Sequence, residues 1–162
     1  LLVSDQLVVR HEQRGFRAAE AGRANFDEIL DLRSTLEAKA LRQSMAHTTT
    51  EWIESLVLIF HRMSRARVVG TAEFEVEHKN FHMALIGNSD APLMLRMCDL
   101  LYDLNIRYRY LAGQSAGYKG RKVDDEHQGI LDAVIADDAD KAVALLLTHY
   151  EKTGDFLKTY IT

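Results

Sequence analysis

Phe74-Glu75-Val76-Glu77-His78-Lys79-Asn80-Phe81-His82-Met83-Ala84-Leu85 is the stretch from which both the fold and the chemistry can be read. Phe74, His78, Phe81, His82 and Leu85 recur at helical spacing, so one side of a helix carries two histidines one turn apart among apolar rings. Two later segments repeat the pattern. His127, Ile130, Leu131 and Val134 stand at i, i+3, i+4, i+7, and His149 follows Ala142, Leu145 and Leu146 on one face. Imidazole is the commonest metal-binding side chain near neutral pH. His78, His82, His127 and His149 are therefore a candidate metal site inside a helical bundle, leaving His11, His47 and His61 as ordinary surface residues.

The rest of the chain supports a bundle. It has 162 residues, enough for one domain with a real core. Apolar residues make up 47% and charged residues 27%, and a single proline with nine glycines favours long elements. An Asn25/Glu28 capping box opens a first helix that buries Ile29, Leu36 and Ala40. A second starts after Thr48-Thr49-Thr50, and the Gly70-Thr71 pair opens the third. Asp90 caps a fourth, with Pro92 in its first turn and a stripe of Leu93, Met97, Leu100, Leu104 and Leu111. Asp124 or Asp125 caps a fifth, and Asp137-Asp138 breaks and recaps the chain before the last. The expectation is all-α: about six amphipathic helices in an antiparallel bundle.

Residues 6–10 and 16–19 read instead as a short β-hairpin around a polar His11–Gly15 turn. So short a hairpin is marginal alone, which implies a larger domain to which it belongs. No initiator methionine stands at position 1, consistent with a piece of something longer. The expected division is 1–22 as a remnant and linker, and 23–162 as the helical domain.

Composition excludes several roles. A net charge of −4 offers no basic patch for gripping DNA phosphates with this segment alone. One cysteine, Cys98, in an apolar helical run, excludes an internal disulfide and reads as a small core residue in a reducing compartment. No apolar run reaches the roughly 18 residues of a membrane span, and no secretory leader is visible.

Four neutral imidazoles suit Zn²⁺ or Ni²⁺, whereas Mg²⁺ and Ca²⁺ prefer oxygen. Two geometries are open: a closed tetrahedral structural site, or a five- or six-coordinate ion whose free positions face a cavity and attract a carboxylate. Arg33 is in phase with Ile29 and Leu36. It either pairs with Glu37 one turn on or forks onto the carboxylate of a small acid. Arg107 lies with Leu100 and Leu104 and would assist, or else serves as a surface or dimer-contact charge. Glu75-x-x-His78 and Asp124-x-x-His127 are weak echoes of di-iron motifs, with Glu37 as the one further carboxylate. A helical metalloenzyme using an open metal position is thus the alternative to a sensor, and it requires a general base. A helical interaction module without ligand is the third reading.

Phe26-x-x-Ile29-Leu30-Asp31-Leu32-Arg33-x-x-Leu36-Glu37-x-x-Ala40-Leu41 resembles the first helix of the FCD domain, the effector-binding domain of the FadR branch of GntR-type transcriptional regulators. Phe81-His82-x-Ala84-Leu85, Glu126-His127-x-x-Ile130-Leu131-Asp132-Ala133-x-x-x-x-Asp138 and Ala142-x-x-Leu145-Leu146-x-x-His149 extend the likeness over about 25–160. Leu7-Val8-Val9-x-x-x-x-Arg14-Gly15-Phe16-Arg17 is similar to the wing of the family's winged helix-turn-helix, which implies that His11, Arg14 and Gly15 approach operator DNA. The resemblance implies an Asp, His, His, His metal site, with the histidines at His82, His127 and His149 and the aspartate's place taken by His78. It places Arg33 near the effector. It implies a cytoplasmic homodimeric regulator, more in the sense of a repressor, that senses a small organic acid, is not an enzyme and needs no membrane.

Overall fold

The computed structural model describes residues 8–11, 15–18, 22–66, 71–112 and 123–161; for the two strands and for residues 111–112 it describes the backbone. Strands β1 (Val8–His11) and β2 (Gly15–Ala18) pair antiparallel, with Val8 opposite Ala18 and His11 opposite Gly15. The ladder thus extends one residue further into the turn than residue preference suggests, and His11 and Gly15 close it as a facing pair. Six helices follow among the described residues: α1 (Arg23–Ala46), α2 (Thr50–Arg65), α3 (Ala72–Ile86), α4 (Pro92–Ala112), α5 (Val123–Ile135) and α6 (Ala139–Lys158).

Three of the six helix starts have a side-chain cap as their cause. Thr49 accepts from Trp52 N at 3.2 Å and Thr71 from Phe74 N at 3.2 Å, each satisfying a first-turn amide. Asp138 does the same for Lys141 N at 3.0 Å, directly after Asp137 turns the chain with φ 56°. Two expected caps differ. Helix α1 begins at Arg23 behind Gly22, without a side-chain cap. Asn25 instead accepts from Tyr108 Oη at 2.9 Å and from Arg107, a tertiary use that outcompetes the local capping box. At α4 the cap is Ala91, whose carbonyl accepts from Leu95 N at 3.0 Å, while Asp90 takes φ 49° and forms the turn before it.

Helix α1 runs through the domain, packed along α4 and α6, with α3 also against it. Helices α2 and α3 pack as one hairpin and α5 and α6 as another, joined where α2 meets α5. At Gly154 an added Cβ would lie 2.5 Å from Leu30 Cδ2, so the missing side chain lets α6 lie close on α1. The main core gathers Leu41, Leu56, Met63, Phe81, Leu85, Ile130, Val134 and Leu146; a second cluster holds Phe26, Ile29, Leu101, Leu104, Tyr108 and Leu157. Cys98 belongs to the main core, as its context implies, and burial pushes its thiol up to about 12.

One helix is rotated from expectation. The stripe read on α4 puts Leu93 and Met97 inward, but these are 59% and 45% exposed. The buried face is Cys98, Leu101, Tyr102, Leu104, Asn105, Tyr108 and Arg109, so Leu104 of the expected stripe does face the core. Apolar residues occupy both sides of α4, so hydrophobicity alone picks the outer side; Leu93 and Met97 instead line a groove with Leu36 of α1. No helix among the described residues is long and apolar enough to cross a membrane.

Candidate metal centre

Helix α3 supplies His78 and His82, α5 supplies His127 and α6 supplies His149, because on each helix the histidine shares the face that packs inward. All four are at most 3% exposed. Their ring centroids are 4.5 Å (His78–His82, His127–His149), 4.8 Å (His78–His127), 5.3 Å (His82–His127), 5.4 Å (His82–His149) and 6.1 Å (His78–His149) apart. One nitrogen from each lies within 4.8 Å of the others, and no carboxylate joins the set among the described residues. The sequence thus identifies all four members of the cluster.

Hydrogen bonds around the rings fix their orientation. His149 Nδ1 meets Glu126 Oε2 at 2.7 Å, and an ionised carboxylate only accepts, so Nδ1 carries the proton and Nε2 the lone pair. His82 Nδ1 lies 3.0 Å from Tyr150 Oη. The tyrosine's one proton goes to Glu37 Oε2, so His82 Nδ1–H donates to it and Nε2 again has the lone pair. His82 Nε2 is buried with no hydrogen-bond partner. Such a bare nitrogen is costly unless something occupies the place it faces. His82 and His149 thus fit a first-row divalent ion: nitrogen donors whose Nδ1 protons are held by outer partners, leaving the Nε2 lone pairs for the ion.

Two buried arginines border the cluster. Arg33 donates from Nε to Glu37 Oε1 at 2.8 Å and from Nη2 to Tyr150 Oη at 3.3 Å, with its guanidinium 4.8 Å from the Tyr102 ring centroid. Burial works against its charge, but Glu37 holds the guanidinium above its ordinary value. The local pair and the inward placement therefore coexist. The second guanidinium is that of Arg109, not Arg107. Arg109 contacts His78 Nδ1 at 2.9 Å, Tyr102 Oη at 2.6 Å and Glu75 Oε2. Arg107 is half-buried and lies beside Tyr108 of the second core cluster, bonded to Asn25 and to Tyr108 Oη (3.1 Å). Arg109 was legible as the i+7 partner of Tyr102, but its charge hides it from a hydrophobic pattern. The carboxylates of the di-iron reading are engaged elsewhere: Glu37 with Arg33 and Tyr150, Glu75 with Arg109, while Asp124 is exposed. His47 and His61 are exposed, as expected of surface residues. Of the expected DNA contacts, His11 and Gly15 are the hairpin's turn-end pair and Arg14 falls outside the described residues.

Burial first, then Arg109 and neighbouring imidazoles, hold His78 well below the usual histidine value of 6.5; burial, then His127 and His149, do the same for His82. Both stay neutral in the fold while they protonate near 6.5 when unfolded. The unfolded chain binds more protons, so this contribution is complete above pH 6.5 and is lost as pH falls below it. Ion-free protein should lose about 1 kcal/mol per histidine over the first pH unit below that point. Urea midpoints across this range check it; a flat profile until the carboxylate range near pH ~4 would contradict it.

Comparisons with known proteins show the family and the fold. Residues 28–152 match the FCD domain family. The sequence is 31% identical to an uncharacterized HTH-type transcriptional regulator, BphR, of Paraburkholderia xenovorans (strain LB400), over 99% of this chain and 68% of that protein. It is 26% identical to the HTH-type transcriptional repressor GlaR of Escherichia coli (strain K12), over 91% of the chain and 71% of the relative. Escherichia coli McbR/YncC superposes with a TM-score of 0.85 at 21% identity, covering 98% of this chain and 80% of that one. A GntR family member from Pseudomonas syringae pv. tomato str. DC3000 gives 0.76 at 18%, covering 98% and 66%. These two structures speak to the fold.

Proposed function

The chain belongs to the FCD family of GntR-type transcriptional regulators, and from that premise we propose that its histidine chamber holds Zn²⁺ or Ni²⁺, beside which a small organic acid binds and controls the grip on operator DNA. The observation that carries this reading is the convergence of four buried imidazoles, with a partnerless nitrogen on His82. Bound there, the ion would supply uncompensated positive charge that attracts a carboxylate, since no carboxylate belongs to the set. Arg33 and Arg109 are each neutralised by a glutamate, so neither adds net charge to that of the ion, and Arg33 is placed to orient an anion through directed N–H groups.

Residues 1–22 then lead from the DNA-binding part, and 23–162 form the sensing and dimerising domain. His11, Arg14 and Gly15 belong to the hairpin that approaches DNA. Exposed Leu93 and Met97, which line the α1–α4 groove, and exposed Leu32 on α1 support a homodimer across these helices. Acid binding shifts the bundle between two arrangements and changes the spacing of paired DNA-binding units, so operator half-sites no longer match. Release of repression is the favoured sense, as the name of the repressor GlaR suggests. A regulator of this kind works in the cytoplasm. The enzyme alternative requires a general base, and Glu37 and Glu75 are each held by an arginine while Glu126 is held by His149.

The test uses intact protein carrying its DNA-binding part. Operator fragments should be released on addition of one member of a small-carboxylic-acid panel, and His127→Ala should abolish that response while leaving acid-free DNA binding in place. An unchanged response in the variant would refute the role of the chamber.

A further inference from the structure

The imidazoles are not equivalent, and the difference lies in what faces each Nδ1. A guanidinium has only N–H donors and stays charged in any folded protein. Arg109 Nη1 is 2.9 Å from His78 Nδ1. That nitrogen must therefore hold a lone pair, because a proton on it would oppose the proton of the guanidinium. Tyr102 gives the same answer. Its oxygen already accepts from Arg109 Nη2 at 2.6 Å, and its own proton points to His78 Nδ1 at 2.5 Å. Two donors converge on one nitrogen, and neutral His78 keeps its proton on Nε2. His82 and His149 have the opposite tautomer, for the reasons given above.

We infer that His78 is not a ligand of the ion but a donor to the acid bound beside it: His82, His127 and His149 form the coordinating set, and His78 offers Nε2–H to a carboxylate oxygen. This rests on the metal-and-acid reading above. Neither nitrogen of His78 has a lone pair to spare, one being used by Arg109 and Tyr102 and the other protonated. Its ring packs 4.5 Å from His82 and 4.8 Å from His127, so its remaining polar group lies beside the coordinating rings. Three neutral nitrogens leave open positions on an ion, which a closed four-histidine site would not. Arg109, through Tyr102 and His78, becomes a positioning residue that fixes the direction of this donor.

Three measurements separate the assignment from its parent. Long-range ¹⁵N–¹H NMR of ion-free protein should show His78 protonated on Nε2, and His82 and His149 on Nδ1. Co²⁺ titration, followed by competition with a chromophoric chelator and by the visible spectrum, should then divide the variants. His82→Ala and His149→Ala should lose more affinity than the roughly 10–100-fold an outer partner contributes. His78→Ala and His78→Gln should change it by less than about 10-fold with the spectrum retained. Malonate affinity of the Co²⁺ form should fall roughly 10–100-fold in His78→Ala and recover in part in His78→Gln, whose amide still donates. Protonation of His78 on Nδ1, or loss of Co²⁺ binding in both His78 variants, overturns the assignment alone. Wild-type protein that takes up no Co²⁺ overturns the metal reading and this assignment with it.

Discussion

Arg109→Met is expected to cost the fold about 3–5 kcal/mol, the range for removing one partner of a buried ion pair. Arg109 is 3% and Glu75 1% exposed. The guanidinium satisfies Glu75 Oε2, whereas Oε1 has no hydrogen-bond partner. Burial already pushes the Glu75 carboxyl up, with Arg109 pulling it back. Without the arginine the group takes a proton, which caps the loss but leaves a polar acid in an apolar setting. Tyr102 and His78 lose a donor at the same time. Glu75→Leu in the same molecule removes the orphaned group and should restore most of the stability, as apolar replacements of buried pairs do. The exposed pair of Arg42 with Asp140 makes the contrast: its 2.6 Å contact is 51% and 88% exposed, and Arg42→Met should cost about 0–1 kcal/mol. Urea unfolding of the four proteins decides the matter. A cost near that of the exposed pair for Arg109→Met would mean that water reaches Glu75.

Why Arg109 escapes a sequence reading while Arg33 does not follows from what surrounds each. On α1, Ile29, Arg33, Glu37 and Ala40 sit on a helix whose exposed residues are mostly polar (Glu28, Asp31, Thr35, Lys39) despite Leu32, so the phase of Arg33 is readable. On α4 the apolar residues form two strips. One, with Leu93 and Met97, faces outward beside the α1 groove; the other, with Cys98, Leu101, Tyr102, Leu104, Asn105, Tyr108 and Arg109, is inward but rich in polar groups. Periodicity weighs hydrophobicity, so it selects the outward strip and with it Arg107. The information that reverses the choice is long-range: Glu75 on α3 needs a cation, and Arg109 is the one that reaches it. The histidines were easier because each is surrounded on its own helix by residues that can only be core, such as Phe81, Ile130 and Leu146. Their convergence follows from the bundle. Which nitrogen each presents does not, since that depends on Tyr150, Glu37, Tyr102 and Glu126, contributed by other helices.

The chamber's chemistry should be visible as stability. Ion-free protein given Zn²⁺ or Ni²⁺ at a free concentration of about 1,000 dissociation constants should gain about 4 kcal/mol, because the folded chain brings the nitrogens together and the unfolded chain does not. For a domain of this size that is a rise of roughly 8–16 °C in Tm. His127→Ala should abolish the rise. His127 is fully buried, 4.5 Å from His149 and 5.4 Å from Phe81 by ring centroid, so the variant also loses packing and its ion-free Tm is lower; the diagnostic quantity is the difference on adding metal. His61→Ala, at an exposed position on α2, should leave both numbers unchanged and controls for adventitious surface binding. Mg²⁺ separates coordination from general charge screening: it favours oxygen ligands and retains its water, so at equal concentration it should produce no comparable shift. A rise of the same size in His127→Ala, or with Mg²⁺ in place of Zn²⁺, would show that the stabilising ion binds outside the imidazole cluster.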